Sequence, residues 1–134
     1  MNADLNPAET NPAYLCGRLL ALFHNLQYAA SGSKLNQTVA DRYYTLASTF
    51  PRLAFPKLED LGLKHMRKLR RDHGGAATAI DRRMNEVRLE IGTAFPGPLS
   101  LLDQGRFALG FHHQRAEDFK RADEAKQKKA GIPE

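Results

Sequence analysis

The sequence predicts an all-α protein, an antiparallel helical bundle of about five helices. Apolar residues recur at steps of three and four along almost the whole chain, as helix faces do. No window alternates apolar and polar residues for long, and β-branched residues are scarce, so strands have little support. Proline and glycine clusters cut the chain into segments joined by connections of a few residues, which suits neighbouring helices that reverse direction.

The first helix opens at Asn11, an N-cap followed by Pro12 at the first helical position. Leu15, Leu19, Leu22 and Leu26 then form one apolar stripe, and Ser31-Gly32-Ser33 ends it. A second helix is expected from Asn36 to Phe50, with Val39, Tyr43 and Leu46 on one face. Pro51 is expected to stop it and Pro56 to delimit a short connector. A third carries Leu58, Leu61 and Leu69 and is expected to close at Gly74-Gly75. The fourth has Ile80, Met84, Val87 and Ile91 as a buried seam, and Pro96-Gly97-Pro98 is the strongest break in the chain. Ser100-Leu-Leu-Asp103 resembles a capping box with Asp in place of Glu and opens a last helix that runs to about Lys128. The expected organisation is a flexible N-terminal segment (1–10), one helical-bundle domain (11–128) and a frayed tail (129–134).

Composition bounds the function. With 134 residues, 42% hydrophobic and 26% charged, the chain fits one compact domain that needs neither disulfides nor a structural metal. The single cysteine excludes a disulfide scaffold and a Cys-based zinc finger and favours the reducing cytoplasm. No run approaches the roughly 20 apolar residues of a membrane span, and the first ten residues lack the basic and apolar parts of an export signal. A net charge of +5 favours an acidic partner such as nucleic acid.

Candidates for chemistry fail on geometry. Cys16 and His24 are eight residues apart on one helix, roughly 12 Å along its axis, too far to share a metal or act as nucleophile and base. Cys16 reads as a small buried apolar residue. His112 and His113 point about 100° apart, and His113 with Glu117 reads as an exposed ion pair. His65 falls on the stripe of Leu58 and Leu69 and reads as a histidine near the core. Gly74-Gly75 lacks the Lys and Ser or Thr of a phosphate loop. No catalytic constellation, metal site or cofactor is expected, and the chain does not read as an enzyme.

The basic residues carry more information. Between positions 64 and 71 there are five cations (Lys64, Arg67, Lys68, Arg70, Arg71) and no acid. Lys64, Arg67, Lys68 and Arg71 fall at i, i+3, i+4 and i+7, so four positive side chains share the face opposite the leucines, with Lys57 one or two turns earlier. Like charges at that spacing repel, each pair by a few tenths of a kcal/mol, and a phosphate backbone would compensate. On the fourth helix Arg82, Arg83 and Arg88 are matched by Asp81, Glu86 and Glu90, leaving Arg83 and Arg88 as weak candidates for DNA contact. The tail is mixed until Lys126, Lys128 and Lys129. In the last helix Gly105 and Gly110 are expected to admit a neighbouring helix at close range. Asp103, Phe107, Gly110 and Gln114 share one face there, which predicts a buried hydrogen-bond network.

Three blocks together are recognisable: Tyr14 to Gln27, Asp41 to Ser48 leading to Phe55-Pro56, and Asp103 to Arg115. They resemble the C-terminal helical region of the large subunit of type I-C CRISPR Cascade, over about residues 11 to 120. A chain of this extent looks like the small subunit of that complex, which the family translates from an internal start; a domain cut from the large subunit also fits. The resemblance implies a non-catalytic helical bundle beside the large subunit, the repeated guide-holding subunits and other copies of itself. It implies help in holding the R-loop of guide RNA and target DNA, the displaced strand especially, while a separate helicase-nuclease cuts. The blocks transfer no DNA-contacting position; the basic face rests on spacing. Two other readings stay open: a structural spacer that only bridges subunits, and a stand-alone helix-turn-helix protein whose turn would be Arg70 to Gly75.

Overall fold

The computed structural model describes residues 4–32 and 37–129. It contains α1 (Pro12–Ser31), α2 (Val39–Thr49), α3 (Pro51–Asp72), α4 (Gly74–Ile91) and α5 (Leu101–Lys129), and no strand among the described residues. The fold is an all-α helical bundle. The expected start of the second helix at Asn36 and the expected fraying of residues 130–134 lie outside the described residues.

The organising element is α1, which packs against all four other helices. Besides the expected leucines, Ala13, Cys16, Leu20, Ala21 and Phe23 are buried, so apolar residues cover nearly its whole circumference, as in a helix at the centre of a core. Asn11 caps it as expected, its Oδ1 accepting from the Ala13 and Tyr14 N–H groups at 2.9 and 3.3 Å. Gly32, at φ 75°, closes it in a conformation that L side chains rarely adopt. The segment before it is tied down by side chains: the Asn6 N–H donates to the Tyr14 hydroxyl, and Glu9 accepts from the Asn11 N–H.

Two prolines act differently from expectation. Pro51 opens α3 instead of merely stopping α2, because a missing N–H costs nothing in a first turn; only Phe50 separates the two helices. Pro56 lies inside α3 and delimits no connector. Gly74-Gly75 likewise does not close α3. That helix ends at Asp72, His73 joins it to α4, and the glycines form the first turn of α4. At the start of α2, Thr38 and Asp41 form a reciprocal capping box. Buried Gln27 on α1 accepts from the Val39 N–H at 2.8 Å, fixing where α2 begins.

The Pro96-Gly97-Pro98 break is an anchored crossover. Leu99 N–H donates to the Thr49 carbonyl, Arg52 N–H to the Pro96 carbonyl, and Phe95 stacks on buried Phe55 with ring centroids 4.7 Å apart. Ser100 then caps α5 through the Asp103 N–H.

Side-chain neighbours show that α1 and α5 run in the same direction. Tyr14 lies at Gly110 and His113, Arg18 at Gln114, and Tyr28 opposite Lys126. Glycines permit the crossing: a Cβ on Gly17 would run into the Phe107 carbonyl, and one on Gly110 into the Tyr14 carbonyl. Gly105, expected to serve the same purpose, is exposed with nothing within 4 Å of where its Cβ would be. Gly105→Ala is therefore expected to stabilise the isolated protein by about 0.5–1 kcal/mol, since alanine restricts the unfolded chain and gains helix propensity without a clash. Thermal denaturation checks it; a loss of stability would mean the position is confined.

The expected polar face of α5 is split. Gln114 is buried, accepts from Arg18 Nε at 2.9 Å and donates to Asp118 Oδ1 at 3.0 Å, tying α1 to α5. Asp103 takes no part and pairs with Arg106 one turn on. The expected His113–Glu117 pair is also absent: His113 Nδ1 shares a 2.9 Å hydrogen bond with the Tyr14 hydroxyl, while Glu117 pairs with Arg121.

Candidate nucleic-acid interface

The unbroken course of α3 from Pro51 places Lys57, Lys64, Arg67, Lys68 and Arg71 on one exposed face of a single helix. Its opposite face buries Ala54, Phe55, Leu58, Gly62 and Leu69 in the core, so the basic stripe must point away from the bundle. Lys57, Lys64, Arg67 and Lys68 form no ion pair among the described residues, whereas Arg71 Nε lies 3.4 Å from its neighbour Asp72. Exposed Asp60 sits among these cations by helical spacing and locally weakens the positive field between Lys57 and Lys64. His65 borders the stripe. Burial first, then Lys64 and Lys68, lowers its pKa.

The other three candidates are placed elsewhere. Arg70 bridges to Asp81 on α4 at 3.1 Å. Arg88 grips Glu59 through two bonds of 2.8 and 2.6 Å and lies over the Phe23 ring. Glu59 and Arg70 are about three turns apart on α3, and their two ion pairs hold α3 and α4 side by side as an antiparallel hairpin. Asp81 and Arg88 of α4 thus pair across to α3, whereas a helix-turn-helix sets its helices at roughly 90–120°. Arg83 is half-buried between α4 and α5. Burial is the main reason its pKa is lowered, and Asp118, Arg121, Glu86 and Glu117 surround it.

Cys16 is fully buried and its thiol is pushed up to about 12 by burial, so it carries no nucleophilic thiolate near neutral pH. Among the described residues no three His, Cys, Asp or Glu side chains come together as a metal site, and no helix is long and apolar enough to cross a membrane.

Asp118 is different. Burial pushes its carboxyl up to about 6, against the hydrogen bond from Gln114 and the attraction of Arg83 and Arg121. A raised carboxyl pKa means that the folded state holds its proton longer than the unfolded chain. Ionising Asp118 therefore costs stability, in full above about pH 6 and not at all below about pH 4. Asp118→Asn keeps an oxygen for Gln114 and is expected to stabilise the protein at pH 7.5 by up to about 3 kcal/mol, an advantage that fades as the pH falls from 6 to 4. His24 and His65, both lowered mainly by burial, act oppositely and lose stability as the pH drops through 6.5. The difference between variant and wild-type melting curves across pH isolates Asp118; a pH-independent difference would contradict it.

Fold and site define an all-α bundle protein with one uncovered basic helix face. A family described as CRISPR-associated protein (Cas_Csd1) matches residues 1–119, and the chain belongs to that family. No curated protein matches the chain.

Proposed function

We propose that this protein is the non-catalytic small subunit of a type I-C Cascade complex, bridging neighbouring subunits and steadying the R-loop by sequence-independent contacts to the DNA backbone. The observation that carries the reading is the stripe Lys57, Lys64, Arg67, Lys68 and Arg71 on the solvent side of α3, in a chain of a CRISPR-associated family. R-loop formation is a near-balanced exchange of one duplex for another, so modest backbone attraction can tip it. Phosphate is the fitting partner because aromatic rings are absent from this stripe, which leaves charge as its means of attraction. Large-subunit and guide-holding partners, with further copies of this chain, would supply the avidity that one bundle lacks.

A structural spacer is the second reading, favoured by the uncharged outer face of α5. There Leu101, Gly105, Leu109, His112 and Ala116 follow one another at helical spacing, and Leu101 is 85% exposed. The deciding experiment co-expresses the chain with the guide-loaded assembly and places a photo-crosslinker at Arg67. Co-purification with crosslinks to target or displaced DNA supports the R-loop reading. Co-purification with crosslinks to protein alone favours the spacer, and failure to co-purify overturns both.

A further inference from the structure

A groove of about 340 Å³ lies between the C-terminal part of α1 and the outer half of α5, on different residues from the basic face. That volume is at the lower end of small-molecule sites. Tyr28 stands on the α1 wall and Phe119 on the α5 wall, 52% and 67% exposed. The open Tyr28 ring offers a flat face with no aromatic or cation–π contact among the described residues, and Phe119 offers the face that Arg115 leaves free. Arg115 lies over the Phe119 ring at 5.7 Å from its centroid and over Phe111 at 5.8 Å, which holds the guanidinium beside both rings. Two lining residues, His24 and Asp118, carry buried polar atoms, Nδ1 and Oδ2, without a hydrogen-bond partner among the described residues. Both atoms are shut off from the groove, so a ligand meets them only as the two side chains turn toward it. Leaving each unmet is unfavourable, which favours that turn when a ligand brings polar groups.

The required ligand is flat, has hydrogen-bonding edges and tolerates nearby positive charge from Arg115 and Lys126. An acyl chain would leave both polar atoms unmet, and a planar base covers an aromatic wall more completely than a puckered sugar ring does. From this geometry we infer that the groove accepts an unstacked nucleobase, with its ring against Tyr28 or Phe119 and its edge toward His24 and Asp118. The inference rests on the nucleic-acid reading for the source of that base, a single strand, although a free nucleotide shares the chemistry.

The test titrates the full chain, at low salt, into an oligothymidylate carrying one central 2-aminopurine and, separately, into 2-aminopurine riboside monophosphate. A saturable fluorescence change with the oligonucleotide is expected. Phe119→Ala and Tyr28→Ala, both at exposed positions and checked by circular dichroism, should abolish the change and weaken binding about ten-fold, the scale of one lost stacked base. Lys64, Arg67, Lys68 and Arg71 replaced together by Ala should weaken binding yet keep the saturated change. A change with the monophosphate that Phe119→Ala removes supports the groove and makes a free nucleotide its ligand. Strand binding with no fluorescence change, or with a change that both aromatic variants retain, overturns the groove and leaves the DNA reading standing. No binding of either probe overturns both.

Discussion

Gly110→Leu is expected to lower the stability of the isolated protein by about 3 kcal/mol, on the order of 10 °C in Tm. The reason is the obstacle: a Cβ at this position meets the backbone carbonyl of Tyr14, which cannot rotate aside as a side chain would. Relief requires α1 and α5 to separate, and α1 packs against every other helix. The displacement would also strain the Arg18–Gln114 and Tyr14–His113 hydrogen bonds that bridge the same pair of helices. Gly17→Ala attacks the crossing from the other side, through the Phe107 carbonyl, and should destabilise as well. Gly105→Leu is the control, because that position is open and a leucine there should cost little. Thermal melts of the three variants decide the matter; equal melting of Gly110→Leu and Gly105→Leu would show that the two helices do not approach closely at Gly110.

Replacing Lys64, Arg67, Lys68 and Arg71 together by Ala is expected to leave the fold intact and to impair DNA engagement strongly. All four side chains are exposed, opposite the buried face of α3, so their removal opens no cavity and relieves their mutual repulsion. If each meets one phosphate of a single strand, the slope of log affinity against log salt flattens by about 0.7 per contact, or about 2.8 for all four, uniformly across target sequences. Arg70→Ala and Arg88→Ala provide the contrast. Those cations are held by Asp81 and Glu59, and their loss should weaken the α3–α4 hairpin more than it changes the salt slope. Binding isotherms at several salt concentrations, together with melting curves, separate the two effects. An unchanged slope and affinity in the quadruple variant would remove the basic face from the DNA reading and leave the spacer.

Features with a local cause were legible in the sequence. The Asn11 cap needs only its own side chain and the next three residues, and the cationic stripe of α3 follows from helical spacing alone. The buried seam of α4 does too: Ile80, Met84 and Val87 face inward because their period matches the helix. Pro51 ends α2 as the sequence suggests and also opens α3, because a proline that cannot continue one helix is equally fitted to begin the next. Only the path of the chain decides whether it takes that second role. Gly105 and Gly110 show the same limit more sharply, since identical residues five positions apart on one helix face opposite sides, one against α1 and the other against solvent.

The sequence by itself determined the helical class, the basic face of α3 and the apolar stripes, because each depends on residues within a few turns of one another. Tertiary structure alone decided that α1 is the central helix, that Gly17 and Gly110 form its crossing with α5, and that Arg70 and Arg88 are held in ion pairs. It also brought His24 and Tyr28 together with Asp118 and Phe119 around one groove. Residues about ninety positions apart meet there through the packing of two whole helices, and helical periodicity specifies which way a side chain faces on its own helix without specifying what lies across from it.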